Sequence, residues 1–264
     1  MSASAAGAPL AGRVALVTGV SRRIGIGFAL VRRLVDEGAS VMATGWSPHD
    51  AEMPWGEDDE GAGALASLAG PDRLASLAAD LEDPAVPATL VAAAVARFGA
   101  LDVLVATHAR SSRSGLAELT ADELDRCWAV NARATLMLAQ AFAAAHDRER
   151  PGGRIVLFTS GQHRGPMPGE LPYSVTKGAV HQMTASLADA VADAGITVNC
   201  INPGPVDTGW AVRADGLYEE VAARFPSGRW GQPEDVANLV AFLVGDQGGW
   251  ITGQVLDSEG GFRR

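Results

Sequence analysis

The feature that most constrains this chain is a regular alternation of short apolar runs with longer helical stretches. The predicted strands are residues 13–18, 40–44, 73–79, 101–107, 154–159, 196–201 and 254–257. The predicted helices are residues 25–36, 84–98, 121–146, 173–194 and 233–244. Runs rich in Val, Ile, Leu and Ala are typical of strands that are buried on both faces. The pattern therefore predicts a single α/β domain over residues 1–264, with a doubly wound, mostly parallel, seven-stranded sheet and helices on both faces.

Several segments lack this alternation, and we expect residues 1–11 to be flexible. Residues 46–63 are acidic and rich in Gly and Pro, which is typical of a surface loop. Residues 110–115 and 161–171 follow predicted strands. Because loops after the carboxyl ends of parallel strands form the ligand crevice of such sheets, we expect these two loops to border a binding site.

Composition excludes several classes of protein. The chain has 21 Lys and Arg against 31 Asp and Glu, and this net charge of −10 argues against binding to nucleic acid. Cys127 and Cys200 form neither a disulfide framework nor a zinc motif, so we expect no metal and a reducing cytoplasm. No signal peptide is evident, and no apolar run is long enough to span a membrane.

A glycine-containing loop follows the first predicted strand and opens the first predicted helix. Its sequence is TGVSRRIGIG, residues 18–27. Glycines allow a tight turn and let backbone N–H groups approach a pyrophosphate at a helix N-terminus. The order of strand, loop and helix predicts a Rossmann-type dinucleotide site rather than a merely structural turn. The expected contacts in this loop are Gly19, Ser21, Arg22, Arg23, Gly25, Ile26 and Gly27.

The choice of dinucleotide depends on the end of the second predicted strand. NAD is expected to have an acidic residue there for its ribose 2′-hydroxyl, but the sequence reads ATGWS, with no carboxylate before Asp50. Arg22 and Arg23 can instead face a 2′-phosphate, Arg22 being the stronger candidate, unless one or both point to solvent. We therefore expect NADP, with NAD as the alternative. The residues expected beside the adenosine are Trp46, Asp80 and Leu81. Asp80 also suits a helix cap.

One lysine stands out, because 20 of the 21 basic residues are arginine and the exception is Lys177. Lys177 follows Tyr173 by four positions in YSVTK, so the two side chains share one helix face. A phenol can act as an acid or base near neutral pH only if a nearby positive charge favours the phenolate. Lys177 can supply that charge and bind a cofactor ribose. The alternative is a surface cation over an aromatic ring.

Two polar residues are candidates for the same site. Ser160 ends the fifth predicted strand, where its hydroxyl can polarise a carbonyl oxygen or serve as an ordinary turn former. Asn131 lies in the otherwise apolar stretch WAVNARA of a predicted helix, and a buried amide there needs partners. It either holds an ordered water or ties the helix to a neighbouring strand, or does both.

The glycine loop, the four polar residues above and two further motifs occur in the order typical of one family. Through them the chain resembles the short-chain dehydrogenase/reductase family over essentially its whole length. The motifs are NPGPVDT, residues 202–208, and ITGQVL, residues 251–256. The resemblance implies that Tyr173 is the general acid/base, that Lys177 lowers its pKa and binds the nicotinamide ribose, and that Ser160 holds the substrate oxygen. Asn131 would support a water-linked proton relay. The residues expected along the nicotinamide are Pro203, Gly204, Val206 and Thr208.

The chain departs from the family pattern in two places. Its glycine loop is two residues longer, and the length of the following helix assigns Gly25 and Gly27 to the last two family glycines. The family motif NNAG, whose first Asn helps to hold the central strands together, is replaced by ATHA, residues 106–109. His108 is either a substrate contact or, as we favour, a residue that fills space.

The resemblance also bears on the substrate. Many members reduce 3-oxoacyl groups on acyl carrier protein, an acidic partner that docks on basic residues. Asp189 and Asp193 lie in the helix where such members often carry arginines, so we expect a free small-molecule carbonyl or alcohol. Arg148, Arg150 and Arg154 keep the carrier-bound substrate as the alternative. A catalytically inactive NADP-binding sensor or scaffold is an alternative of another class.

The long helices predicted over 121–146 and 173–194 are richer in Ala and Leu than a solvent-facing surface requires. Such helices pair across a two-fold axis in the family, so we expect a homodimer or homotetramer.

Overall fold

The computed structural model describes residues 8–150, 152–211 and 216–264. In these residues seven parallel strands form one sheet in the order β3-β2-β1-β4-β5-β6-β7. The strands are β1 (Val14–Thr18), β2 (Ser40–Gly45), β3 (Leu74–Ala78), β4 (Val103–Ala106), β5 (Arg154–Phe158), β6 (Thr197–Asn202) and β7 (Val255–Asp257). All seven predicted strands are present, and the predicted doubly wound sheet is confirmed.

The helices of the described residues include all of those that were predicted. They are α1 (Ile26–Asp36), α2 (Ser47–Glu52), α3 (Gly61–Ala66), α4 (Val86–Phe98), α5 (Ala121–Cys127), α6 (Ala134–Ala145), α7 (Leu171–Val191), α8 (Leu217–Ala223) and α9 (Pro233–Val244). The helix predicted over 121–146 is α5 followed by α6, with a π-helical turn at Trp128–Arg133 between them. A π turn inserts a residue into the helical ladder and often marks a functional site.

The prediction of a surface loop over residues 46–63 is wrong in part, because α2 lies within it and α3 begins within it. Neither helix is long enough to show an apolar period, so the sequence pattern could not reveal them. Helix α2 starts with Pro48 in its first turn, and its buried Asp50 accepts a hydrogen bond from Trp55 Nε1 at 2.9 Å. Polar contacts rather than an apolar stripe anchor this segment.

The two faces of the sheet have separate apolar cores. Ala15 and Val17 of β1 belong to the core shared with α1 and α9, whereas Val14 and Leu16 belong to the core shared with α4 and α6. This alternation follows from the two-residue period of a strand. The helices thus cover both faces and leave the carboxyl ends of the strands open to ligands.

The start of the described chain is anchored on the domain. Leu10 is buried in the core beside α1, and its N–H donates to Glu37 O at 2.8 Å. Residues 1–7 of the segment that we expect to be flexible lie outside the described residues, and its flexibility stays a prediction. Among the residues that the structure describes, no helix combines the length and the apolar character needed to cross a membrane.

Candidate active site

A cavity of about 290 Å³ lies at the carboxyl ends of β1 to β4. Ten of the predicted dinucleotide contacts line it: Gly19, Ser21, Arg22, Gly25, Ile26, Gly27, Trp46, Asp80, Leu81 and Thr208. Arg23, Tyr173, Lys177, Pro203, Gly204 and Val206 do not line it. The structure therefore gathers in one cavity the residues predicted around the adenosine and pyrophosphate, apart from Arg23, and of those predicted around the nicotinamide only Thr208 lines this cavity.

The glycine loop is held so close to its neighbours that side chains would not fit. Gly19 has a φ of +76°, and a Cβ there would lie 2.7 Å from His108 N. A Cβ on Gly27 would lie 2.4 Å from Gly19 O, so this glycine lets α1 pack directly against the end of β1. Gly25 is the N-cap of α1. These positions match the assignment made from helix length, and they leave a bare backbone cradle at a helix N-terminus, which fits a pyrophosphate.

The two loop arginines have different surroundings. Arg22 lines the cavity, where its Nη1 donates to Thr208 O at 2.8 Å and its Nε lies 3.4 Å from Asp50 Oδ1. Burial lowers the pKa of the Arg22 guanidinium, and Asp50 opposes that shift. Arg23 instead faces outward to the acidic segment, where it bonds Asp58 and Glu60. Only Arg22 is therefore positioned to meet a ligand in the cavity.

The residues expected beside the adenosine lie at the ends of β2 and β3. Leu81 is buried, whereas the exposed Trp46 precedes α2 and forms part of the cavity wall. Asp80 Oδ1 accepts a hydrogen bond from Glu82 N at 2.9 Å and stabilises the turn after β3. The helix-cap alternative is wrong, because the N-cap of α4 is Ala85 and no side chain caps that helix. Asp80 also lines the cavity, which leaves the adenine contact compatible with the turn.

His108 connects β4 to the neighbouring elements. Its Nε2 lies 3.0 Å from Val130 O and its Nδ1 lies 2.7 Å from Thr18 Oγ1. Because a carbonyl can only accept, Nε2 carries the proton and Nδ1 accepts from the Thr18 hydroxyl. Thr107 Oγ1 adds a bond to Thr18 O at 2.6 Å. Thr107 and His108 thus tie β1 to β4, the role that the resemblance gives to the Asn that is missing here.

Burial, together with the charge of Lys177, lowers the pKa of His108 to about 3. The imidazole is therefore neutral near neutral pH. His108 lines the cavity, and Lys177 of α7 is near enough for its charge to act on this imidazole.

Helix α7 brings Tyr173 and Lys177 to the end of β5, beside Ser160. Lys177 is 3% exposed, and its Nζ donates to Phe158 O at 2.9 Å, while Thr159 Oγ1 donates to Lys177 O at 2.8 Å. These two bonds lock α7 against β5. The surface-cation alternative is wrong because Lys177 is buried.

The pKa of the tyrosine differs from the expectation. Burial raises the pKa of Tyr173 to about 12, and the hydroxyl of Ser160, which hydrogen-bonds the phenol, opposes this shift. Lys177 Nζ lies 5.7 Å from the centre of the Tyr173 ring and is bonded to a carbonyl, so it does not act on the phenol oxygen in this arrangement. Burial lowers the pKa of Lys177 itself to about 8.

Asn131 lies in the π-helical turn, and its buried amide is fully bonded to the protein. Its Oδ1 accepts from Arg110 N at 2.6 Å, and its Nδ2 donates to Arg110 O at 3.0 Å and to Thr176 Oγ1 at 2.9 Å. The side chain thus ties the helix to the loop after β4 and to α7, which is one of the two roles considered for it. The proton-relay role stays a prediction.

The segment after β6 follows the same edge of the sheet. Gly204 has a φ of +65°, and a Cβ there would lie 3.0 Å from the Glu259 side chain. Val206 is buried and pairs with Gly231 in an isolated bridge, while Pro203 is half-buried. Thr208 is the member of this group that reaches the cavity.

Some cavity residues were not predicted. Helix α2 places His49, Asp50 and Glu52 on the wall, facing Arg110 from the loop after β4. Arg110 Nη2 donates to Glu123 Oε2 at 3.0 Å, and its Nη1 lies 3.7 Å from Glu52 Oε2. No motif marks these residues in the sequence, because the contacts join segments that are far apart in the chain. The described residues contain no cluster of His, Cys, Asp and Glu suited to a metal ion.

A cradle of bare glycine backbone, with a half-buried tyrosine and serine beside a buried lysine, defines a dinucleotide-dependent class of α/β protein. The family model described as "Enoyl-(Acyl carrier protein) reductase" matches residues 19–263. The oxidoreductase YjdA of Bacillus subtilis (strain 168) is 37% identical over 96% of this chain and 97% of its own. The NADPH-dependent aldehyde reductase-like protein, chloroplastic, of Arabidopsis thaliana is 35% identical over 96% and 95%, respectively. A solved short chain dehydrogenase from Burkholderia cenocepacia J2315, in complex with NADP, has a TM-score of 0.84 at 34% identity, covering 96% of this chain and 98% of that one.

The chain therefore belongs to the short-chain dehydrogenase/reductase family of oxidoreductases.

Proposed function

We propose that this protein transfers a hydride between NADP(H) and a small-molecule carbonyl or alcohol, with Tyr173 as the general acid/base. The observation that carries the proposal is the meeting of Tyr173, Ser160 and Lys177 near the glycine-loop cavity. A sensor or scaffold that performs no chemistry would have no need for a buried ammonium beside a half-buried phenol, because burying the ammonium costs free energy.

The residues of the cavity fit a dinucleotide. Gly19, Gly25 and Gly27 leave their backbone free for the pyrophosphate, and Arg22 is placed to bind a 2′-phosphate. Two similar proteins support the choice of NADP, since one is named as NADPH-dependent and one is solved with NADP. Asp50 already pairs with Arg22, so a phosphate would share or displace this carboxylate.

The side chains divide the chemistry as follows. The nicotinamide, when bound, donates the hydride in reduction and accepts it in oxidation. Ser160 holds the substrate oxygen, and Tyr173 gives its proton to that oxygen in reduction or removes it in oxidation. In the direction of reduction the phenol must carry the proton that it gives to the substrate oxygen, and the high pKa of Tyr173 keeps the phenol un-ionised. Lys177 holds the ribose, and Asn131 holds the helix in place.

The charges near the site favour a free substrate over a carrier-bound one. Arg154, the first residue of β5, is buried and donates to Gly152 O at 2.8 Å. Arg150 is paired with Asp102 at 2.7 Å, and Arg148 lies in the same turn before β5. Since this turn precedes β5, all three arginines lie at the edge of the sheet opposite the cleft, where they cannot guide an acidic carrier into it. The alternative substrate is a 3-oxoacyl group carried on acyl carrier protein.

The test is NADPH oxidation by the purified protein with a panel of neutral ketones, aldehydes, quinones and a 3-oxoacyl acyl carrier protein. Turnover of free carbonyl compounds would support the proposal. Turnover confined to the carrier-bound compound would favour the alternative substrate. NADPH binding without turnover of any compound would favour the sensor or scaffold.

We also propose that the protein is a cytoplasmic homo-oligomer, either a dimer or a tetramer. Trp128 is 50% exposed, and Leu136 of α6 and Val175 of α7 are also exposed. A second apolar surface carries Phe242 of α9 and Trp250, which is 98% exposed. Large apolar side chains at such positions are typical of interfaces. Sedimentation as a monomer at micromolar concentration would refute this assembly.

A further inference from the structure

Glu170 lies at the start of α7, three residues before Tyr173 and next to the loop after β4. It is the N-cap residue of α7, yet its side chain does not cap the helix. Its backbone is held firmly, since its N–H donates to Met167 O at 3.1 Å and its carbonyl accepts from Ser174 N at 2.8 Å. The next N–H, from Leu171, donates to Ser114 O at 3.0 Å and joins this turn to the loop after β4.

The carboxylate of Glu170 is half-buried, and it makes no hydrogen bond or ion pair with any residue in 8–150, 152–211 or 216–264. Most partly buried carboxylates of this protein do have such partners: Asp50 bonds Trp55, Glu123 bonds Arg110, and Glu259 bonds Arg264. A desolvated carboxylate without a partner costs free energy. A cost of this kind close to Tyr173 points to a ligand as the missing partner.

The carboxylate of Glu170 has two neighbours that bear on its role, Arg113 and Tyr173. Burial raises the pKa of Glu170, and Arg113 opposes the shift, although the exposed Arg113 makes only a 3.4 Å contact with Trp210 O. The negative charge of Glu170 raises the pKa of Tyr173, whereas Arg113 has no resolved influence on the phenol. Glu170 is therefore an acidic group close enough to Tyr173 to act on the phenol.

We infer that Glu170 is a specificity-determining residue, whose unpaired carboxylate binds a hydroxyl or ammonium group next to the substrate carbonyl and repels a carboxylate at that place. The inference rests on the proposed function and narrows its substrate class to neutral or cationic carbonyl compounds with a hydrogen-bond donor. Oxo acids are excluded because their charge has the same sign as that of Glu170.

The experiment compares the wild type with Glu170→Gln, which keeps the size of the side chain and removes its charge. The substrates are acetoacetate, its neutral ethyl ester, and aminoacetone as a cationic ketone, each with saturating NADPH. For the wild type we expect kcat/KM to fall from the cation to the ester to the anion. In Glu170→Gln we expect the anion-to-ester ratio of kcat/KM to rise about tenfold and the cation-to-ester ratio to fall about tenfold, as for one partly screened charge at close range.

Two further variants make the result specific. Glu118→Gln, in the exposed part of the loop after β4, removes another acidic charge and should leave both ratios unchanged. Glu170→Asp retains the charge and should keep the wild-type order of substrates. If Glu170→Gln reduces the ester but leaves both ratios within about twofold of the wild type, the role of Glu170 is refuted and the proposed function stands. If the wild type reduces none of these or other carbonyl compounds, both fail.

Discussion

His108 should make the stability of the folded protein fall as the pH drops below about 6.5. In the unfolded chain this imidazole has its ordinary pKa of 6.5, whereas burial and Lys177 lower the folded-state pKa to about 3. Between these two values the unfolded chain binds a proton that the folded protein does not bind. The free energy of unfolding therefore rises with pH across this window, and the stabilisation is lost as the pH falls through it.

The size of the effect follows from the same two pKa values. One proton changes the free energy of unfolding by about 1.4 kcal/mol per pH unit, so the whole window is worth about 5 kcal/mol. The variant His108→Gln has no group at this position that titrates in the window, so this contribution to the pH dependence is lost. The variant loses one of the two hydrogen bonds to Thr18 and Val130, which costs about 1–3 kcal/mol at pH 7. Its unfolding free energy should then decline less steeply with acid than that of the wild type.

The assay is urea unfolding, followed by tryptophan fluorescence at one protein concentration and at several pH values from 7 down to about 4.5. The difference between wild type and His108→Gln should shrink by about 2.5 kcal/mol over this range. Thr184→Val is the matched control, because it removes a buried hydroxyl that donates to Val180 O at 2.9 Å and does not contact His108. Parallel curves for the wild type and His108→Gln would refute the reasoning, as would a change of slope in the control.

The remaining predictions concern the cofactor and the lysine. Lys177→Arg should lower kcat by at least about a hundredfold, because a planar guanidinium cannot replace a buried ammonium bonded to a strand carbonyl; wild-type rates would contradict this. Arg22→Ala should reduce the preference for NADPH over NADH by about tenfold in kcat/KM, while Arg23→Ala, whose partners lie outside the cavity, should leave it unchanged. Equal effects of the two variants would remove Arg22 from the phosphate. Gly27→Ala should weaken NADPH binding, measured by fluorescence titration, by at least about tenfold, because its Cβ would lie 2.4 Å from Gly19 O. An unchanged Kd would show that the loop can yield.

The strands and the main helices were predictable because each depends on neighbours along the chain. Alternation of apolar runs and helical stretches is a local signal, and the four-residue spacing of Tyr173 and Lys177 needs only the helix period. The same holds for Gly27, whose place is set by the length of α1.

The parts that could not be predicted depend on contacts between distant segments. The choice between Arg22 and Arg23 is decided by Asp50, Asp58 and Glu60, which become their partners only in the folded chain. Helices α2 and α3 are too short for a periodic signal. The direction of Lys177, toward a carbonyl of β5 rather than toward the phenol, depends on how α7 packs on that strand.

The central claim is that the phenol of Tyr173 exchanges a proton with the substrate beside bound NADPH. The most direct measurement is single-turnover oxidation of bound NADPH by an accepted ketone, in the wild type and in Tyr173→Phe, with NADPH affinity measured by fluorescence titration in both. The account predicts a loss of at least about a thousandfold in the rate for Tyr173→Phe, with the affinity unchanged. A variant that oxidises NADPH at a rate near that of the wild type would contradict the claim.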